Sequence, residues 1–416
     1  MKSISFFSLL LFCFHVSVSQ SQLSEDSYTR YELLEPATQS FRIIYQVSTT
    51  TPGLQFYYNS LRKGSGHTIG KVMDMMTGKN LEWTVVSGID ARKAGWLEAE
   101  PDGEYLKVKL ERLLPAGGEY RLLIDKTYKD EASYYAKDEK IVFDRSLGIK
   151  RNAVILPKGY ELIKCNYPSQ IMLEQDGRIK VSFINSGAQD VAFHLEAKKL
   201  SGAADMTISK FSSTETNAVG QGRDKSKARI NFDFSERSGE TREIVYFLQQ
   251  PETHSFRLYH DYTETKEGTD RYINVVRNGS KASNPSAKLL DTGKELKVET
   301  LKGEAIRTRG LDIGEPINSE TEVVVIWYDP VKKGQTVRLR IEETYTDANR
   351  YILNGNEFIF DRAFGRPFNT VVLPQGWFLT SNAVPATVET QDGKVSLTYV
   401  NDSPGEIEVY IKGRKK

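Results

Sequence analysis

One stretch of this chain occurs twice. RLLIDKTYKDEASYYAKDEKIVFDRSLGIKRNAVILPKGY, residues 121–160, returns as RLRIEETYTDANRYILNGNEFIFDRAFGRPFNTVVLPQGW, residues 338–377, at a constant shift and without a gap. Both copies keep Thr127/Thr344, Tyr128/Tyr345, Asp130/Asp347, Tyr134/Tyr351, a Phe-Asp-Arg run at Phe143 and Phe360, Gly148/Gly365, Asn152/Asn369 and a Leu-Pro-x-Gly-aromatic run ending at Tyr160 and Trp377. A chain that repeats itself over this length must build one architecture twice.

The likeness reaches beyond this stretch. YELLEPATQSFR at 31–42 matches YFLQQPETHSFR at 246–257, and QDGRIKV at 175–181 matches QDGKVSL at 391–397. Each unit thus covers about 170 residues, 30–200 and 245–416, an ordinary domain size. Residues 201–244 lie between them and are rich in Ser, Thr, Gly, Lys and Asp up to Arg242. They read as a flexible connector with one strand at 228–234.

The local pattern is β. Ile179, Val181 and Phe183 alternate with Lys180 and Ser182, and Val395, Leu397 and Tyr399 with Ser396 and Thr398. Each run follows an Asp-Gly pair suited to a tight hairpin turn. Short strands fit 41–47, 55–61, 81–85, 105–110, 120–126, 140–143 and 191–197, separated by Gly, Pro and Asp turns. No amphipathic helix of three turns stands out. The expected fold is all-β: two tandem homologous antiparallel β-sandwich units of immunoglobulin-like (E-set-like) type joined by a flexible linker. Each unit is either one broad sandwich or two small ones split near residue 100.

At the amino end, Lys2 precedes an apolar run too short to span a bilayer of roughly 30 Å. With Ser17 and Ser19 it reads as a signal peptide over residues 1–19, cleaved after Ser19, so the mature protein is expected at the cell surface, in a periplasm or secreted. Phe12 before Cys13 does not suit a lipidation site. Cys13 would leave with the signal and Cys165 faces Asn382 in the other copy, which rules out a disulfide framework and makes Cys165 a buried strand residue. No later run suggests stable membrane insertion. The formal net charge of +1 comes without a basic stripe, so nucleic acid is not an expected partner.

Two groups of shared residues are site candidates. Asp144 and Arg145, like Asp361 and Arg362, are neighbours that a strand points to opposite faces. Arg121 and Arg338 are then expected partners for Asp144 and Asp361, as structural ion pairs that fix register. A ligand or calcium site and a glycosidase-like carboxylate pair are the alternatives. Tyr160 and Trp377 either cap the core or offer, with Tyr128 and Tyr345, a stacking platform for a sugar or peptide.

His67, His194, His254 and His260 form no HExxH motif, and no nucleophile elbow, phosphate loop or dinucleotide fingerprint is present, so neither metal nor cofactor is expected. The expected function is non-catalytic binding of an extracellular glycan or protein. A carboxylate-based extracellular hydrolase and a purely structural part are the alternatives. Duplication favours binding, because two linked sites gain affinity through effective concentration.

Overall fold

A computed structural model describes residues 27–187, 189–200, 236–277, 279–403 and 405–416. The stretch expected to be a signal peptide, with Cys13, and the strand expected at 228–234 lie outside these. The fold is all-β, and each half builds three sheets with one strand order used twice.

In the first half a seven-stranded sheet runs Gln170–Leu173, Ile179–Ile184, Arg151–Ile155, Ser27–Leu33, Ser40–Thr49, Tyr120–Lys129, Gly66–Asp74. Two smaller sheets cover one of its faces. One has four strands, Tyr160–Cys165, Val191–Lys199, Lys140–Leu147 and Tyr134–Lys137; the other has three, Phe56–Leu61, Glu104–Lys109 and Trp83–Ser87. The second half repeats this with Thr387–Gln391, Lys394–Val400, Phe368–Val372, Glu243–Leu248, Ser255–Glu264, Val337–Thr346 and Lys281–Leu289 as its large sheet. One broad sheet thus serves two small ones, and residue 100, where a split was expected, lies between two adjacent strands of the same three-stranded sheet.

Strand alternation explains the layering. Along Tyr120–Lys129, residues 120, 122, 124, 126 and 128 are buried on the inner face. Leu122 and Ile124 pack with Leu106 and Val108 of the three-stranded sheet, while Tyr128 joins Phe41, Phe143 and Phe193 under the four-stranded one. The first half's core is thus divided in two, whereas the corresponding residues of the second half belong to one continuous cluster from Leu339 and Ile341 to Phe360 and Ile411.

Three features differ from the sequence reading. The strands Ser27–Leu33 and Arg151–Ile155 pair in parallel, as do Glu243–Leu248 and Phe368–Val372, within otherwise antiparallel sheets. No crossover helix is needed, because the three-stranded sheet and two strands of the four-stranded one lie between the paired strands in the chain. Two single-turn helices, Gly88–Lys93 and Glu304–Thr308, occupy matching places. Ile306 there packs on Val323 and Val325, closing the outer side of the second three-stranded sheet. Finally, residues 236–240, read as part of the connector, sit against both halves: Arg151 Nη1 donates to Ser238 O at 2.6 Å, and Arg237 Nη2 to Gly365 O at 2.8 Å.

Candidate site in the first half

Where the two small sheets of the first half meet, neither fully covers the large one. A cavity of about 350 Å³ opens there. Its floor is the large sheet, with Tyr31, Ile43, Tyr45, Lys126 and Tyr128; its walls include Asn59 and Arg62 on one side and Arg145 and Ile149 on the other. Ser60 and Arg62 are exposed and mark the rim.

Lys126 is the unexpected member. It continues the inward alternation of Leu122 and Ile124, so the strand carries an ammonium into the protein, where it is 6% exposed. Nζ donates to Asn59 Oδ1 at 2.6 Å and lies 5.0 Å from the centre of the Tyr128 ring. Burial, with the positive Arg145 nearby, pushes the lysine down to about 7. Arg145 lies over Phe41 and Tyr128 and donates to Asp130 Oδ2 at 3.1 Å; Arg62 reaches the same oxygen at 3.3 Å. Burial raises Asp130, but the bond from Ser133 and the two guanidiniums outweigh it and hold the carboxyl below its usual range. None of the described residues lining the cavity is Asp or Glu.

The second copy inverts this chemistry. Lys126 is replaced by Glu343, 2% exposed, while the asparagine is retained: Asn274 Nδ2 donates to Glu343 Oε2 at 2.7 Å and to the Tyr345 hydroxyl at 2.8 Å. The amide thus accepts from a cation in one half and donates to a carboxyl in the other. Burial pushes Glu343 up, against the hydrogen bonds it makes with Asn274 and Tyr345. Tyr45 and Ile149 become His260 and Arg366. His260 is held well below its usual range by burial and the charge of Arg366, Arg242 and Arg338. Its ring packs 5.6 Å from Tyr272.

The expected ion pairs are rearranged. Asp144 does point away from Arg145, but outward, where its carboxylate is 54% exposed and meets His194 Nδ1 at 2.9 Å across the neighbouring strand. Arg121 does not reach it. Its guanidinium binds Asp291 of the other half at 2.6 and 2.8 Å, because Arg121 stands on the outer face of the large sheet and Asp144 on another sheet altogether. Arg338 likewise leaves Asp361: it donates to Thr241 O at 2.6 Å and lies 3.4 Å from Glu119. Asp361 stands opposite Tyr410 in the strand register, and Arg362 turns inward over Tyr246, Phe256 and Tyr345. Beside Arg145 a different carboxylate, Asp130, forms the buried bridge.

Three of the four expected platform rings are core. Tyr128, Tyr345 and Trp377 are 2, 4 and 3% exposed, which leaves no free face for stacking. Trp377 packs on Phe358 and donates Nε1 to Gln250 Oε1 at 3.0 Å. Tyr160 is half-buried at the edge of the first core. Tyr128 nevertheless presents part of its ring to the cavity. Cys165 is a half-buried free thiol whose Sγ approaches Tyr167 O at 3.3 Å.

Among the described residues, no group of three or more His, Cys, Asp or Glu is placed to hold a metal, and no helix is long and apolar enough to cross a membrane.

No protein-family model matches the chain, and no curated protein sequence does. Among solved structures it is similar to an M1 zinc metallopeptidase from Deinococcus radiodurans, at 12% identity and TM-score 0.29 over 42% of each chain. It is also similar to an aminopeptidase N family protein from Idiomarina loihiensis, at 10% identity and TM-score 0.26 over 41% of this chain and 29% of that one. A third likeness is to the collagen adhesin of S. aureus, at 9% identity and TM-score 0.16 over 81% and 84%. The chain therefore spans under half the length of the metallopeptidases it matches.

Proposed function

We propose that this is an exported, non-catalytic binding protein whose first half holds the ligand site in the cavity at the junction of its two small sheets. One observation carries the reading: among aromatic and aliphatic side chains of the first half, about 350 Å³ is left open beside Lys126. That volume lies at the lower end of the range of small-molecule pockets, roughly 300–1,000 Å³. The second half, with Glu343 and Arg366 at corresponding positions, serves as scaffold or takes a different ligand.

Hydrolysis by paired carboxylates is less well supported. Asp130 is engaged by Ser133, Arg62 and Arg145, and Asp144 faces solvent on the opposite side of its strand. The test is a screen of the full chain for binding of glycans, peptides and small organic molecules, run beside a hydrolase screen. Ligands should bind wild type and be lost on Ile149→Trp, which fills the cavity from its half-buried wall. Turnover abolished by Asp130→Asn would replace the proposal with an enzyme.

A further inference from the structure

We propose that the first-half cavity selects a small organic anion, such as a carboxylate on an apolar body. This rests on the cavity being the binding site. The charges around it do not balance. Arg62 and Arg145 share one carboxylate, Asp130, and Lys126 has a neutral amide, Asn59, as its hydrogen-bond partner. Lysine is almost never buried to this degree without a counter-charge. A guanidinium pair on one carboxylate and an ammonium on an amide leave an excess of positive charge around the cavity, greatest when Lys126 is protonated, and an entering anion would offset it.

The remaining walls fit an apolar body. Tyr31, Tyr45 and Tyr128 present rings, and Ile43 and Ile149 aliphatic surface. The groups facing Lys126 from the packed elements are Arg145 from the four-stranded sheet, Asn59 and Arg62 from the three-stranded one, and Tyr31, Tyr45 and Tyr128 from its own sheet. Asp130 stands behind the arginines. Lys126 is the group there whose proton occupancy changes near neutrality, so anion entry draws a proton onto it. The second half offers an internal contrast: it carries a buried carboxyl, Glu343, at the same strand position, and so lacks the ammonium the ligand would meet in the first.

Benzoate, benzamide and benzylamine share one ring and differ in charge, so calorimetric titration of the full chain with each reads the preference directly. Benzoate should bind about tenfold or more tighter than benzamide. Its binding should take up protons above about pH 7, seen by comparing buffers of different ionisation enthalpy, and should be lost in Lys126→Met. Proton uptake is read on wild type and does not depend on the variant folding. Equal binding of the three, or a preference for benzylamine, would overturn the anion assignment while leaving the cavity as the site. The anion assignment falls in the same way if none of the three binds but a neutral or cationic compound does and is lost on Ile149→Trp. Absence of any Ile149→Trp-sensitive ligand would overturn both readings.

Discussion

At the scale of single residues, Lys126 sets the strongest expectation. Its folded-state value of about 7 lies below the ordinary 10.5, because burial penalises the ammonium. Between these values the unfolded chain binds more protons than the folded one, so stability rises as pH rises from about 7 to about 10.5, and the penalty is complete below that window. Lys126→Met should therefore remove the slope and stabilise the protein at neutral pH by an amount on the order of a few kcal/mol. Urea unfolding at about pH 6 and about pH 9 checks this, and equal wild-type stability at the two would show that the lysine is not desolvated. The lysine was legible in the sequence, because strict alternation from Leu122 and Ile124 places residue 126 on the same face. The charge hides it, since a lysine is normally read as outward. Asp144 shows the complementary limit. Alternation separates it from Arg145, but no local pattern says that Arg121 lies on a different sheet and faces the other half.

At the scale of elements, the two copies solve the same packing problem with different side chains. In the first four-stranded sheet Ile141 stands opposite Ala197; in the second, Phe358 stands opposite Gly413. The volume added on one strand is removed on its neighbour. A Cβ on Gly413 would lie 2.4 Å from the Phe358 ring and 2.8 Å from Phe378 O, too close for either to remain in place. Gly413→Ala should cost about 1–3 kcal/mol by overpacking. Phe358→Ile, which restores the first copy's pairing, should recover part of that loss in the double variant. A double-mutant cycle from thermal or urea melts measures the coupling, and strict additivity would mean that the exchange is not compensatory. The hairpins were readable in outline from their Asp-Gly pairs. Asp392 and Gly393 both take positive φ, 51° and 73°, in a two-residue turn between Gln391 and Lys394, whereas the first copy spends residues 174–178 on its connection. The parallel pairs were not readable. Their partners lie far apart in the chain, and a strand's own pattern does not record the direction of its neighbour.

At the scale of the whole molecule, duplication suggested two units on a flexible connector, each free to reach its own ligand. The described residues instead bring the halves together through groups that cannot be left unpaired cheaply. Arg121 and Asp291 are 5 and 2% exposed and form a two-bond bridge between the halves. Thr336 Oγ1 accepts from Arg121 and donates to Met75 O, and Glu119 N donates to Leu290 O at 3.0 Å. Beside them Arg338 meets Glu119 at 3.4 Å, so each half contributes a buried arginine from matching strands. This seam was invisible to sequence comparison, because Asp291 corresponds to Met76 in the first copy and only the arginines repeat. A buried bridge contributes little net stability beyond its desolvation cost, but removing one partner strands the other. Asp291→Ala should thus destabilise by about 3–5 kcal/mol and weaken the link between halves more than either half itself. Differential scanning calorimetry should show one transition for wild type and two for the variant, since a half that no longer depends on its neighbour melts alone. Two transitions already present in wild type would mean that the bridge does not couple the halves, and the flexible pair read from the sequence would then describe the molecule better.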